Sequence, residues 1–571
     1  MASLGPAPAA DPREAFDWWL EGVVYQVYPR SFADSNGDGI GDLAGIIDHL
    51  DYLAGGPDSL GVDAIWLSPI YPSPMLDGGY DVSDYRTVDP VFGTLADFDR
   101  LIEACHRRGL RVILDLVMNH TSSQHPWFVQ SRHATTGPFA DYYLWRDPSG
   151  RDDAGRPEPP NNWLSWFGGS AWAWEPRRQQ FYLHTFLPEQ PDVNWRSPAL
   201  RAEMWSMVQG WLDRGVDGFR LDVFNAFVKA AGLPSNPEIP SDSSLPWDHQ
   251  EHRYDKDQPE MHDLLAEFRA IVDSRPGTAT VGELFTSGIE RAVSYSTGHH
   301  LVFDWILLET AWSAASFRAA IAAREAAWSG GWPTIALSNH DHSRHVSRYL
   351  EDLGRADEPT ADAVADALAK AAATIELTLR GTPFLYYGEE IGARDISVPR
   401  DQAQDRAARQ MDGWWNRDGC RAPMAWSGGR NAGFTRGRPW LPLPPDGASR
   451  NVLDQLATDG SVLAHYRQLV ALRRSSAALR QGDLSLVDVG DPDVLAWVRR
   501  AGDEVALVAV RFDLEAGEIE LPSAGGRWRV VLSSHDPAAA AGPPAAGPSR
   551  IGLRSLEAVV LQADDPPTIY G

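Results

Sequence analysis

The chain repeatedly follows an amphipathic helix with a glycine and then a short apolar run that ends in polar residues, and this alternation restricts the folds open to it. In LADFDRLIEACHRRG, Leu95, Phe98, Leu101, Ile102 and Cys105 share one helical face, and Gly109 stops the helix. The run that follows, LRVILDLVMNH, is apolar on both strand faces, as a buried parallel strand must be. The unit returns at SPALRAEMWSMVQGWLDRGVDGFRLDV, where Ser197 suits an N-cap, Pro198 the first turn, and Leu200, Met204, Met207, Val208, Trp211 and Leu212 form the buried stripe. With VVYQVYP, VDAIWLSPI, TATVGELF, WPTIALSNHD and TPFLYYGEE, at least seven such strands are present. That number suits an α/β fold of the (β/α)8 TIM-barrel kind better than a six-stranded open sheet.

Residues 15–120 and 197–480 read as the barrel. Residues 121–196, rich in Trp, Gly, Pro and Asn, are too many for an ordinary loop and read as a domain inserted after strand three. An irregular subdomain is expected at about 393–450, after the last barrel strand. From 481 to 571 the runs DVLAWVRRAG, EVALVAVRFD, WRVVLSS and SLEAVVLQA predict a C-terminal antiparallel β-sandwich, with the tract PAAAAGPPAAGPS as a flexible connection inside it. Residues 1–14 read as a disordered N-terminus.

Charge and cysteine content narrow the ligands. A net charge of −27 argues against nucleic acid, whose phosphates it would repel. Two cysteines make no disulfide framework, the start lacks a basic segment followed by an apolar one, and no run of about 18 apolar residues occurs. A cytoplasmic protein without a membrane partner is expected. Tryptophan is abundant at 23 residues, which serves a core or a platform for ring-shaped ligands.

In such a barrel the active site forms at the C-terminal strand ends. There stand Asp115, Asn119 and His120, then Arg220 and Asp222, then Glu283, then His340 and Asp341. One charged residue at a strand end can simply mark where the strand meets solvent, but four runs delivering carboxylate, His or Arg to one rim suggest chemistry. Retaining glycoside hydrolysis needs an ionised carboxylate as nucleophile and a protonated carboxyl as acid. Arg220 lies two residues before Asp222, on the same strand face, and can hold it ionised. Glu283, between apolar neighbours, is placed for a raised pKa, and Asp341 for transition-state stabilisation. A metal hydrolase is disfavoured because no HxH or HExxH spacing falls at a strand end.

DLVMNH, GFRLDV, VGEL and SNHD, in this order, resemble the signature segments of the α-amylase superfamily, glycoside hydrolase family thirteen, and QPDVNW resembles the fifth segment of its α-glucosidase and oligo-1,6-glucosidase members. The resemblance covers residues 17–480 and implies a barrel with an inserted B domain and a C-terminal β domain. It implies Asp222 as nucleophile, Glu283 as acid/base and Asp341 as transition-state stabiliser. For the sugar subsite it implies Tyr80, Asp81, His120, Arg220, His340 and Arg421, with Phe167, Phe186 and Gln190 as the B-domain wall. The expected activity is exo-acting, retaining α-glucosidase action on small α-glucosides such as maltose, isomaltose, short maltooligosaccharides or sucrose. Transglucosylases and sucrose or trehalose isomerases share the same residues and remain the alternative. A non-enzymatic relative would have lost the carboxylates. Val223 after the nucleophile resembles enzymes that cleave α-1,6 bonds, whereas LDVF in place of MDVI and RAPMAW in place of RTPMQW leave α-1,4 or mixed specificity open.

DSNGDGIGD, residues 34–42, places Asp34, Asn36 and Asp38 at alternate positions like a calcium-sensing loop, but Gly45 stands where such a loop needs a bidentate Glu. The resemblance implies a structural Ca²⁺ site at Asp34, Asn36, Asp38, the Ile40 carbonyl and Asp42, with a metal-free Asx/Gly turn as the alternative.

Overall fold

The computed structural model describes residues 17–356, 361–410, 416–522, 527–536 and 550–563. The expected disordered start at 1–14 and the Ala/Pro/Gly tract lie outside these residues. Eight parallel strands form the main sheet: β1 (Val24–Val27), β2 (Ala64–Leu67), β3 (Arg111–Leu116), β4 (Gly218–Leu221), β5 (Ala279–Gly282), β6 (Leu301–Val302), β7 (Thr334–Ile335) and β8 (Thr382–Tyr386). They neighbour one another in the order β6-β5-β4-β3-β2-β1-β8-β7, a barrel whose one open seam lies between its two shortest strands. β6 is the strand that pattern reading misses, because two residues carry no periodicity.

Helix α1 (Leu95–Arg107) begins with a capping box between Thr94 and Asp97 and buries Phe98, Leu101, Ile102 and Cys105. Gly109 at φ 73° takes the left-handed turn after it, so the chain reverses into β3. Helix α2 (Pro198–Asp213) is capped by Ser197 and buries all six residues of the expected stripe. Barrel filling comes from Trp66, Ile113, Ala279, Val281, Phe303 and Phe384, whose cluster is separate from the larger core between sheet and helices.

Between β3 and α2 lies a small sheet of three antiparallel strands, Trp145–Arg146, Gln180–Leu183 and Trp172–Glu175. The C-terminal part has a five-stranded antiparallel sheet and a two-stranded one, Gly517–Glu520 with Arg550–Leu553. Ile519 and Leu553 of the small sheet share a core with Val505 and Leu507 of the large one. Among the described residues no helix is long and apolar enough to cross a membrane.

Candidate active site

Strand ladders deliver the acids. Beyond β4, Asp222 donates its N–H to Leu116 O at 3.0 Å, and beyond β5, Glu283 donates to Leu221 O at 2.9 Å. Both backbones are therefore held as continuations of the barrel. Gly282 leaves room for the Phe224 ring and His299, since a Cβ there would lie 2.5 Å from the one and 2.7 Å from the other.

Arg220 is wholly buried and serves three carboxyls. Its Nη1 lies 2.7 Å from Asp115 Oδ1 and 2.8 Å from Asp222 Oδ1, and its Nη2 pairs with Glu283 Oε2. Burial pushes the pKa of both Asp222 and Glu283 up, and Arg220 opposes it. One guanidinium cannot neutralise three carboxylates, so the group favours keeping a proton.

Asp341 sits in different company. Arg421 Nη2 donates to its Oδ1 at 2.8 Å, Arg417 Nη1 does so at 3.2 Å, and His340 Nε2 is 3.2 Å from Oδ2. Burial pushes its pKa up, but His340, Arg417 and Arg421 outweigh that and hold it well below the usual carboxylate range. At neutral pH the two arginines carry this effect, because burial lowers the His340 pKa to about 3. The Gln26 amide lies 2.8 Å from His340 Nδ1, which places the imidazole proton on Nε2, facing Tyr80 and Asp341.

Tyr80 stacks on His340 with centroids 5.2 Å apart and donates its hydroxyl to Asp115 at 2.9 Å. His120 Nε2 lies 3.1 Å from both the Tyr80 carbonyl and Gln190 Nε2. Phe167 and Phe186 lie against each other in an apolar cluster with Val223, Trp247 and Phe285. Val223 has φ 37°, a strained conformation for a β-branched side chain, directly after Asp222. Arg421 Nε also donates to the His340 carbonyl at 2.7 Å. These residues meet on one rim.

Asp81 does not join them. It is fully buried, and its oxygens accept from Ser73 Oγ at 2.8 Å, Leu76 N at 3.1 Å and Asp77 N at 3.2 Å. The carboxylate on the rim is Asp77, which accepts from Arg417 Nη2 at 2.7 Å and Gln190 Nε2 at 3.0 Å. Asp77 and Arg417 are the rim residues that sequence reading passes over. Arg417 also holds Asp405 through Nε at 2.9 Å, and its guanidinium lies over the Phe167 ring. The buried pair Lys229–Asp192, 2.9 Å apart, ties the loop bearing Phe186 and Gln190 to the segment after β4.

In the loop 34–42, Asp34 accepts from Gly37 N at 2.6 Å and Gly39 N at 2.7 Å, Asn36 from Asp38 N at 2.8 Å, and Asp38 from Ile40 N at 2.9 Å. Asp42 caps the helix Leu43–Asp48 through Gly45 N at 2.6 Å. Among the described residues no three His, Cys, Asp or Glu side chains are grouped to hold a metal. The loop's donors are all hard oxygens of the type Ca²⁺ takes. Asp34 Oδ2 also accepts from Thr435 Oγ1, and Asp42 Oδ2 from Ser35 N and Oγ, bonds that ion binding would have to share or displace.

A parallel barrel with paired acids on one arginine at its strand ends defines a glycoside hydrolase. The model of the α-amylase catalytic domain matches residues 26–482, and the chain belongs to the α-amylase family. It is 42% identical over 524 residues to a probable α-glucosidase of Rhizobium meliloti, covering 89% of this chain and 91% of the relative. With an oligo-1,6-glucosidase of Parageobacillus thermoglucosidasius it shares 37% over 547 residues, covering 88% and 92%. The crystal structure of an α-glucosyl transfer enzyme superposes with a TM-score of 0.86 at 40% identity, covering 96% of this chain and 99% of that one.

Proposed function

We propose that the protein is an exo-acting, retaining α-glucosidase that frees α-glucose from the non-reducing end of short α-glucosides. The observation that carries this reading is the single Arg220 shared by Asp222 and Glu283, opposite an Asp341 that two other arginines keep ionised. Asp222 attacks the anomeric carbon as the bond to the leaving oxygen breaks, and Glu283 gives that oxygen its proton. Water then attacks the anomeric carbon of the glucosyl-Asp222 ester, Glu283 takes its proton, and the α configuration returns. Asp341 and its arginines meet the sugar where positive charge develops at the ring. On this reading Arg417, joined to Asp77, Asp405 and Phe167, is the group that blocks extension of the sugar beyond a terminal glucose.

Glucosyl transfer is a second reading, favoured by the likeness to an α-glucosyl transfer enzyme. Incubation with maltose, isomaltose and sucrose, followed by product chromatography and NMR of the first anomer formed, separates the two. Free α-glucose supports hydrolysis with retention, new disaccharides support transfer, and β-glucose as first product overturns the mechanism. For the loop 34–42 we propose bound Ca²⁺ as a structural staple. EDTA is expected to lower the melting temperature more than it lowers turnover per folded molecule, and unchanged melting would count against the ion.

A further inference from the structure

Three residues beyond Asp222, Asn225 is wholly buried in the short 3₁₀ turn Phe224–Ala226. Its Oδ1 accepts from Phe285 N at 2.7 Å, and its Nδ2 donates to Phe285 O at 3.2 Å. The same Nδ2 faces Asp257 Oδ1 at 3.1 Å and Ser287 Oγ at 3.2 Å, which fixes the amide in this orientation. One side chain thus supplies both the acceptor and the donor that a neighbouring strand would offer to Phe285. It does so where the ladder has stopped. The register of β4 and β5 ends at Leu221 with Gly282, and only two backbone bonds carry it further, Glu283 N to Leu221 O and Phe224 N to Glu283 O, the latter at 3.2 Å. Just past Phe285, Thr286 turns to φ 47°, so the segment cannot continue as a strand.

We propose that Asn225 is a positioning residue: it replaces the missing rung between the backbones that carry Asp222 and Glu283, and so sets where the Glu283 carboxyl stands relative to the leaving oxygen. The inference rests on the reading of Glu283 as acid/base. Lys256 Nζ and Ser287 Oγ also reach Phe285 O, at 3.2 and 3.3 Å, so the carbonyl has support without Asn225. Of the hydrogen bonds seen at the Phe285 N–H, the one to Asn225 Oδ1 is what holds it. Acid catalysis depends on sub-ångström placement, and a backbone free to move by that much weakens proton transfer without opening the fold.

The test is leaving-group dependence in Asn225→Ala and Asn225→Asp. Aspartate keeps the acceptor for Phe285 N but turns an acceptor toward Phe285 O and the Asp257 carboxylate. Values of kcat/KM are measured on maltose or isomaltose, whose leaving oxygen needs a proton, and on α-glucosyl fluoride, whose leaving group needs little help. Rates are normalised to active sites titrated with a mechanism-based fluoroglucoside, so that only folded enzyme is read. Both variants are expected to lose at least about tenfold more on the disaccharide than on the fluoride. Equal losses on both substrates overturn the proposal, as does the absence of titratable sites in either variant, which assigns Asn225 a purely structural role. Glu283→Gln is run beside them: a strong leaving-group dependence there upholds the acid/base reading, and its absence shows that the reading failed rather than the role of Asn225.

Discussion

Asp341 touches two guanidiniums, Arg417 and Arg421, whereas Asp222 and Glu283 share the one guanidinium of Arg220 with Asp115. Exposure differs in the same direction: a third of the Asp341 side chain meets solvent, against 8% of Asp222 and 11% of Glu283. Identical residue types therefore behave oppositely across one pocket. Where one cation serves three carboxyls and water is excluded, the group keeps a proton, which the mechanism places on Glu283 while Asp222 stays ionised to attack; where two cations face one carboxylate, no proton is held. Two-step glycoside hydrolysis needs both conditions within reach of a single sugar ring, an acid that gives up a proton once and a carboxylate that stays charged throughout.

The largest expected effect is on the Arg220 side. Asp222→Asn keeps the shape and the bond distance to Arg220 but removes the nucleophile, and release of p-nitrophenol from p-nitrophenyl α-glucoside should fall by about 10⁴-fold or more with an unchanged circular-dichroism spectrum. Turnover near that of the parent enzyme would refute the assignment. On the other side, Asp341→Asn is expected to lower kcat/KM on the order of 10²- to 10³-fold, the scale of one lost electrostatic contact to the transition state. It should also move the pH profile. Burial is the main reason the Glu283 pKa is raised, and the negative charge of Asp341 adds to it. Without that charge Glu283 ionises more easily, so the protonated acid is lost at lower pH and the basic limb of kcat/KM shifts toward acid. A limb that stays in place, or moves to higher pH, would show that the charge of Asp341 does not act on Glu283.

Most of the barrel was legible because a helix stripe and a doubly apolar strand obey simple periods, and α1, α2 and seven of the strands follow them. β6 escaped because hydrogen bonding rather than pattern defines a two-residue strand. The acids were legible for a related reason: each ends an apolar run, and the ladder that makes the run also aims its last side chain. Asp77 and Arg417 had no such marker. They lie in loops after β2 and β8, 340 positions apart in sequence, and only the closed chain brings them to 2.7 Å. Asn225 was hidden in the same way, since its polar groups serve a backbone and leave no trace in composition.

Asp77 and Asp81 give the finest contrast, because the sequence points to Asp81 while the geometry puts Asp77, four residues earlier, on the rim. Asp77 faces Arg417 and Gln190 on the rim, and Asp77→Asn should lower kcat/KM for maltose by about ten- to a hundredfold, the value of one charge-assisted hydrogen bond, with little change in melting. Asp81 is wholly buried, and burial raises its pKa to about 6, against the bonds from Ser73, Leu76 and Asp77 that lower it. A carboxyl whose folded pKa lies above its unfolded value binds its proton more tightly in the native state. Its contribution to stability is fully present below the unfolded value near 4, and it is lost as pH rises to about 6, at up to about 1.4 kcal/mol for each pH unit. Asp81→Asn should flatten the dependence of melting on pH between about 4 and 6, while KM for maltose stays within about threefold of the parent. A KM that rises with Asp81→Asn as steeply as with Asp77→Asn would return Asp81 to the sugar and undo the distinction between a carboxylate that faces substrate and one that holds the loop beneath it.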